Sequence, residues 1–142
     1  MFLSLYRDHT IQSIIPAEYD IALTKIYVWE LEMTITALEA LKIWKEGFEN
    51  GSSDAVSKII TDDFIFIGGT SGTRSREETL TWVSSTPDLI MDDLEVLYEN
   101  NEVMVCLHSV VRAGVNGQVM AFARKKDAKL SYWRVVRSIK PQ

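Results

Sequence analysis

Cysteine and histidine are scarce in this chain, and each scarcity closes off a class of function. Cys106 is the only cysteine in 142 residues, so no intramolecular disulfide can form and no zinc site can be built from cysteines. There are two histidines and no HxH or HExxH spacing, so no metal centre is expected, and no other cofactor is implied. Asp62-Asp63 and Asp92-Asp93 do not repair this, because adjacent residues on a strand point to opposite faces. Gly68–Arg74 lacks the GK[ST] ending of a phosphate loop and reads as a turn. No run of 18 apolar residues exists to span a membrane. The start, Met1 to Asp8, has no basic n-region and is interrupted by charge, which argues against a signal peptide. A reducing cytoplasm is the expected location, and Asn50-Gly51-Ser52 then marks a turn rather than a glycosylation site.

What is present suits one globular domain: 46% hydrophobic and 25% charged residues are ordinary values for a chain that buries a core. Charge is unevenly spread. Residues 1–102 hold 7 basic and 19 acidic residues, whereas residues 103–142 hold 8 basic and 1 acidic. The net charge of −5 would repel a phosphate backbone at long range, so the basic end is read as answering acidic helices, with no nucleic-acid partner.

Residues 1–33 form an N-terminal extension in which Pro16-Ala17-Glu18 opens a helix to about Met33. From Thr34 the pattern sharpens. Ala37, Leu41, Trp44 and Phe48 make an apolar stripe on one helix face, with Gly47 expected to interrupt the helix and Asn50-Gly51-Ser52 to end it. Ser52 or Ser53 caps a short helix carrying Val56, Ile59 and Ile60. Asp62–Ile67 reads as a strand, and Ser75 with Glu78 fits a capping box for a third helix holding Leu80, Trp82 and Val83. Leu89–Tyr98 is a further strand, followed by three antiparallel strands within Glu102–Lys140. The order gives an α+β fold, a curved antiparallel sheet wrapped around about three helices.

Hairpin register assigns faces within that sheet. A two-residue turn at Asp127-Ala128 pairs Lys126 with Lys129 and sets Phe122 opposite Trp133. A turn over Gly114–Gly117 sets Ser109 opposite Phe122. One face then carries Leu107, Ser109, Val111, Met120, Phe122, Trp133 and Val135, with Gln118, Arg124 and Arg137 around it, and walls a cavity. The other carries Cys106, His108, Ala121, Ala123, Tyr132 and Arg134.

These residues resemble the nuclear transport factor 2-like superfamily, the cone-shaped α+β barrel shared with SnoaL-type cyclases and ketosteroid isomerases. The resemblance rests on Trp44…Phe48-Glu49-Asn50-Gly51-Ser52-Ser53-Asp54, Ile60-Thr61-Asp62-Asp63-Phe64, Arg76-Glu77-Glu78…Trp82, Asn100–Val105 and Lys125–Leu130. It covers residues 34–142 as a SnoaL-like domain. Ala128 stands where the family usually has a glycine, which strains a positive-φ position. The places of the isomerases' helix tyrosine, strand-end aspartate and strand acid fall at Trp44, Gly68 and Met120, none of which moves a proton as those groups do.

Three functions follow as expectations. The first is a binding domain for an apolar or weakly acidic small molecule, contacted by Trp44, Phe48, Phe66, Trp82, Leu107, Met120, Phe122 and Trp133. Arg124 and Ser109 would fix its orientation. The second is a cyclase, dehydratase or isomerase using His108 or Arg124. His108 is turned away from the cavity by this register, but a slip of one residue would bring it inside and make it the leading candidate. The third is an interaction module with a filled cavity. In all three a homodimer is expected through the face with His108, Ala121, Ala123 and Tyr132, where small residues admit a second subunit closely.

Overall fold

Thr36 starts the first described helix by accepting a hydrogen bond from the Glu39 N–H on its side chain, which satisfies one of the helix's orphan donors. The helix, α1, runs Ala37–Asn50, and its buried residues Ala37, Ala40, Leu41, Trp44, Gly47 and Phe48 form the expected stripe. It passes unbroken through Gly47 and ends at Gly51, whose φ of 60° is the left-handed cap. Gly47 is there for packing: a Cβ would lie 3.0 Å from Val83 Cγ1 and 3.1 Å from the Ser52 carbonyl. In this computed structural model the described residues are 34–139. The chain divides into two compact units, Met1–Thr34 and Ile35–Gln142, and the helix expected before Met33 lies outside the described residues.

Short α2 (Asp54–Ile59) leads directly into β1 (Ile60–Gly68), followed by β2 (Gly72–Ser75) and α3 (Arg76–Ser85). The Ser75–Glu78 capping box is formed in both directions. β3 (Ile90–Glu99), β4 (Val103–Arg112), β5 (Val115–Lys126) and β6 (Lys129–Ile139) complete the chain. The sheet has six strands in the order β2-β1-β6-β5-β4-β3 and is open, with β2 and β3 at its edges. All neighbours are antiparallel except β1 and β6. The architecture is thus the expected α+β sheet with three helices. Two features correct the expectation: the short strand β2, read as part of a turn, and the parallel β1–β6 pair. Among the described residues no helix is long and apolar enough to cross a membrane.

Register settles which side is inside. Lys126 pairs with Lys129 as the turn chemistry predicts, and Asp127 and Ala128 both have positive φ, 51° and 65°. Lys125 then faces Leu130, but Arg124 faces Tyr132. Ser131 is therefore an extra residue, a β-bulge that shifts every later pair by one. Ala123 lies opposite Trp133 and Ala121 opposite Val135. The expected Phe122–Trp133 pair is absent. The β4–β5 turn is also tighter than expected, at Ala113-Gly114, so Ser109 faces Gln118. That shift is an even number of residues and leaves the β4 and β5 faces unchanged. The buried face carries Met104, Cys106, His108 and Val110 of β4, Val119, Ala121 and Ala123 of β5, and Trp133 of β6.

One end of the sheet is tied down by charge. Glu99 Oε2 accepts from the Ala37 N–H at 2.6 Å, the first residue of α1, and from Lys125 Nζ at 2.7 Å. The carboxylate complements the helix dipole, and the Lys125 side chain is only 5% exposed. Beside it the Ile35 N–H donates to the Ala128 carbonyl at 3.0 Å, joining chain entry to the β5–β6 turn.

Two stability predictions follow from this end. Ala128→Gly relieves a left-handed backbone and should raise the urea-unfolding free energy by about 1 kcal/mol; an unchanged or lower value would show that Ala128 carries no strain. Glu99→Ala leaves a buried ammonium without its counter-charge and should cost about 2–3 kcal/mol. Lys125→Met, which removes the charge instead of orphaning it, should cost clearly less in the same titration, and the reverse order would refute the pairing argument.

Candidate functional site

Trp44 sits at the middle of α1, and four rings surround it. Its ring centroid lies 6.3 Å from Phe48, 6.3 Å from Phe64, 6.2 Å from Phe66 and 5.5 Å from Trp133. Trp82 of α3 joins the group at 5.0 Å from both Phe48 and Phe66. Ala121 and Ala123 lie on the same face as Trp133, and their small side chains leave space that large ones would fill. The rings do not close the interior. A cavity of about 520 Å³ opens among Trp44, Phe48, Phe66, Trp82 and Trp133, continuing past Met91, Val110, Val119 and Val135.

Its polar lining comes from groups at the far ends of the strands. His108 of β4, Arg74 of β2, Arg112 of β4 and Arg137 of β6 all border it, with Thr70 and Ser71 of the β1–β2 turn. No carboxylate is among the described lining residues. Arg74 Cζ lies over the Trp82 ring at 4.4 Å and the Phe66 ring at 5.6 Å, a cation–π arrangement, and the side chain donates to Ser71 Oγ at 3.1 Å. Burial lowers its pKa, Glu78 raises it and the charge of Arg112 lowers it; a guanidinium stays charged throughout.

His108 is the titratable group inside. It is 6% exposed, and its Nδ1 lies 2.9 Å from the Ser109 carbonyl. A carbonyl only accepts, so Nδ1 carries the proton and Nε2 keeps its lone pair. Burial pushes the imidazole pKa down, and the Ser109 hydrogen bond offsets this in part. Trp44 adds a donor: its Nε1–H is buried without a hydrogen-bond acceptor among the described residues. Cys106 is next to this region but inert, its thiol pushed up to about 11, first by burial and then by Glu99. Among the described residues, no three His, Cys, Asp or Glu side chains gather as metal ligands would.

The sequence-predicted contacts divide evenly. Trp44, Phe48, Phe66, Trp82 and Trp133 line the cavity. Leu107, Ser109, Met120, Phe122 and Arg124 lie on the opposite face of the sheet, because the Ser131 bulge parts them from Trp133. Met120 is 47% exposed, and Arg124 lies over the outer rings of Phe122 and Tyr132 at 5.7 and 5.0 Å. The same shift brings His108 inside. It also buries Cys106, Ala121 and Ala123, so of the side chains expected to meet a second subunit only Tyr132 remains on the outer face. Of the three places implied by the isomerase resemblance, Trp44 and Gly68 border the cavity and Met120 does not. Sequence reasoning missed Arg74 and Arg112; it placed Arg137 beside the cavity face but gave it no role. Arg112 and Arg137 belong to the basic C-terminal stretch, where strand parity alone sets them apart from solvated arginines.

No family model and no curated protein sequence matches this chain. Solved structures do. An NTF2-like protein of unknown function from Cytophaga hutchinsonii superimposes with a TM-score of 0.62 at 12% identity, over 74% of this chain and 92% of that one. A Kribbella flavida protein provisionally named a ketosteroid isomerase gives 0.60 at 10% identity, over 71% and 76%. An epoxide hydrolase of the LEH-like kind from M. tuberculosis gives 0.52 at 13% identity, over 70% and 80%. Helix order, the mixed open sheet and these superpositions agree: the domain beginning at Ile35 has the nuclear transport factor 2-like fold.

Proposed function

We propose that this domain binds an apolar small molecule inside the sheet. One observation carries the reading: five aromatic side chains from helix and sheet surround about 520 Å³ of space instead of filling it. That volume falls in the range of small-molecule sites, and an apolar wall with a few converging polar groups is their usual make-up. His108, which borders the cavity, would meet a polar atom of the ligand. The neutral probe N-phenyl-1-naphthylamine should brighten on binding. Val119→Trp, which puts an indole into the cavity, should weaken that binding on the order of tenfold or more with the far-UV circular dichroism preserved. Equal affinity in the variant would place the probe elsewhere and end the reading.

A second reading, an isomerase- or cyclase-type enzyme, is favoured by His108. An imidazole fixed by its own neighbour's carbonyl and kept neutral by burial has the form a general base needs. One solved neighbour is provisionally named an isomerase and another an epoxide hydrolase; their low identity supports the fold and leaves the chemistry to this chain's own residues. The sign of the pH effect follows from burial. The folded-state pKa of His108 is depressed below its ordinary 6.5, so its contribution to stability is complete above that value. The contribution is lost as pH falls through the lower folded-state pKa. The native protein should therefore lose stability below about pH 6.5 more steeply than His108→Gln in parallel urea titrations. Parallel slopes would mean that burial does not depress the imidazole pKa, and would remove the support that burial gives this reading.

A further inference from the structure

The three arginines at one end of the cavity have a geometry that solvated arginines do not need. Arg74, Arg112 and Arg137 come from three different strands, and all border the same space. Arg137 lies across Gly117: a Cβ built there would fall 2.8 Å from Arg137 Nε and 3.4 Å from the buried Val110 Cγ1. The bare position at 117 leaves room for the Ser138 carbonyl, 2.9 Å from that Cβ, and for the Arg137 side chain, which is otherwise exposed. Val119, the residue paired with Arg137, also pairs with His108, so guanidinium and imidazole stand in one row across β4, β5 and β6. Arg74 lies over the rings of Trp82 and Phe66. Arg112 reaches only Asp88, at 3.8 Å, with both side chains about half exposed. Among the described residues no carboxylate pairs with Arg137, and none lines the cavity.

Three cations converge on an apolar chamber that supplies no counter-charge. Such a chamber favours a ligand that brings one. Planar guanidinium forks match a carboxylate through paired N–H donors, and the aromatic floor accepts a flat or cyclic hydrocarbon body. We propose that Arg74, Arg112 and Arg137 form a carboxylate subsite at the cavity mouth, making the ligand class apolar carboxylic acids bound with the hydrocarbon end on the aromatic floor. This rests on the cavity-binding reading above and names the ligand's polar end.

Competition against the neutral fluorophore separates the two ideas. 2-Naphthylacetate and 2-naphthylacetamide differ by one charge and little shape. The acid should displace the fluorophore from the native protein at a concentration lower than the amide by about tenfold or more. Arg137→Gln should narrow that gap to about threefold or less through the acid alone, with amide displacement unchanged. Arg134→Gln, on the outer face, should leave the gap intact and so control for net charge. If acid and amide displace alike, the carboxylate subsite is wrong while the cavity reading stands. A gap that survives Arg137→Gln, or narrows equally in Arg134→Gln, also overturns the subsite. If the fluorophore does not bind at all, the cavity reading fails and the subsite falls with it.

Discussion

Between the pairs Lys125–Leu130 and Arg124–Tyr132, β6 carries one residue more than β5, and the interior is built on that difference. Side chains alternate along a strand, so one added residue moves everything after it to the other face. With Ser131 inserted, Trp133 turns toward α1 and meets Trp44, while Arg134 and Val136 turn to the outer face with Phe122 and Met120. Without it, Trp133 would share a face with Phe122, and Trp44 would lose the nearest of its ring neighbours, at 5.5 Å. Val135 and Arg137 follow Trp133 inward, so the cavity wall and its cationic end depend on the same bulge.

Large and small residues then divide the interior. Trp44, Phe48, Phe64, Phe66 and Trp133 are all nearly fully buried, and tilted ring pairs at these separations contribute beyond the area they cover, roughly 0.5–1.5 kcal/mol each. Opposite them the middle of β5 offers Val119, Ala121 and Ala123. Tight packing on the helix side and short side chains on the sheet side leave the chamber between them. A core made only for stability would fill this space, because an unfilled volume forfeits contacts.

Much of the fold is legible in the chain because local chemistry agrees with global placement. The Ser75 cap, the 37–41–44–48 stripe and the Asp127-Ala128 turn each announce themselves within a few residues, and each is found in place. β2 escapes notice because Gly72-Thr73-Arg74-Ser75 has no apolar alternation; it exists only by pairing with β1. The parallel β1–β6 contact joins residues far apart in sequence and leaves no local trace. Half of the candidate site is misplaced for one reason. A bulge at Ser131 has no signature in Leu130-Ser131-Tyr132, and register inferred from a turn holds only until the first extra residue. The helix and β1 residues, Trp44, Phe48, Phe66 and Trp82, do not depend on that register, and they border the cavity.

The tightest polar contacts and the cationic mouth of the cavity lie at opposite ends of this sheet. At one end the β5–β6 turn, the β3–β4 turn and the start of α1 lock together: Glu99 holds Ala37 N–H and Lys125, Asn100 Oδ1 accepts from the Glu102 and Val103 N–H groups, and Ile35 reaches Ala128. At the other end, where β1, β4 and β6 finish and β5 begins, the Gly68–Gly72 turn, Ala113-Gly114 and the arginines face the cavity with few fixed partners. An end held by partly buried ion pairs and helix capping tolerates little change. An end made of short turns and long flexible cations can be re-shaped at low cost to the fold. Residues 68–74, 112–115 and 135–139 can therefore change the mouth of the cavity, while Trp44 and its ring neighbours keep the chamber open beneath them.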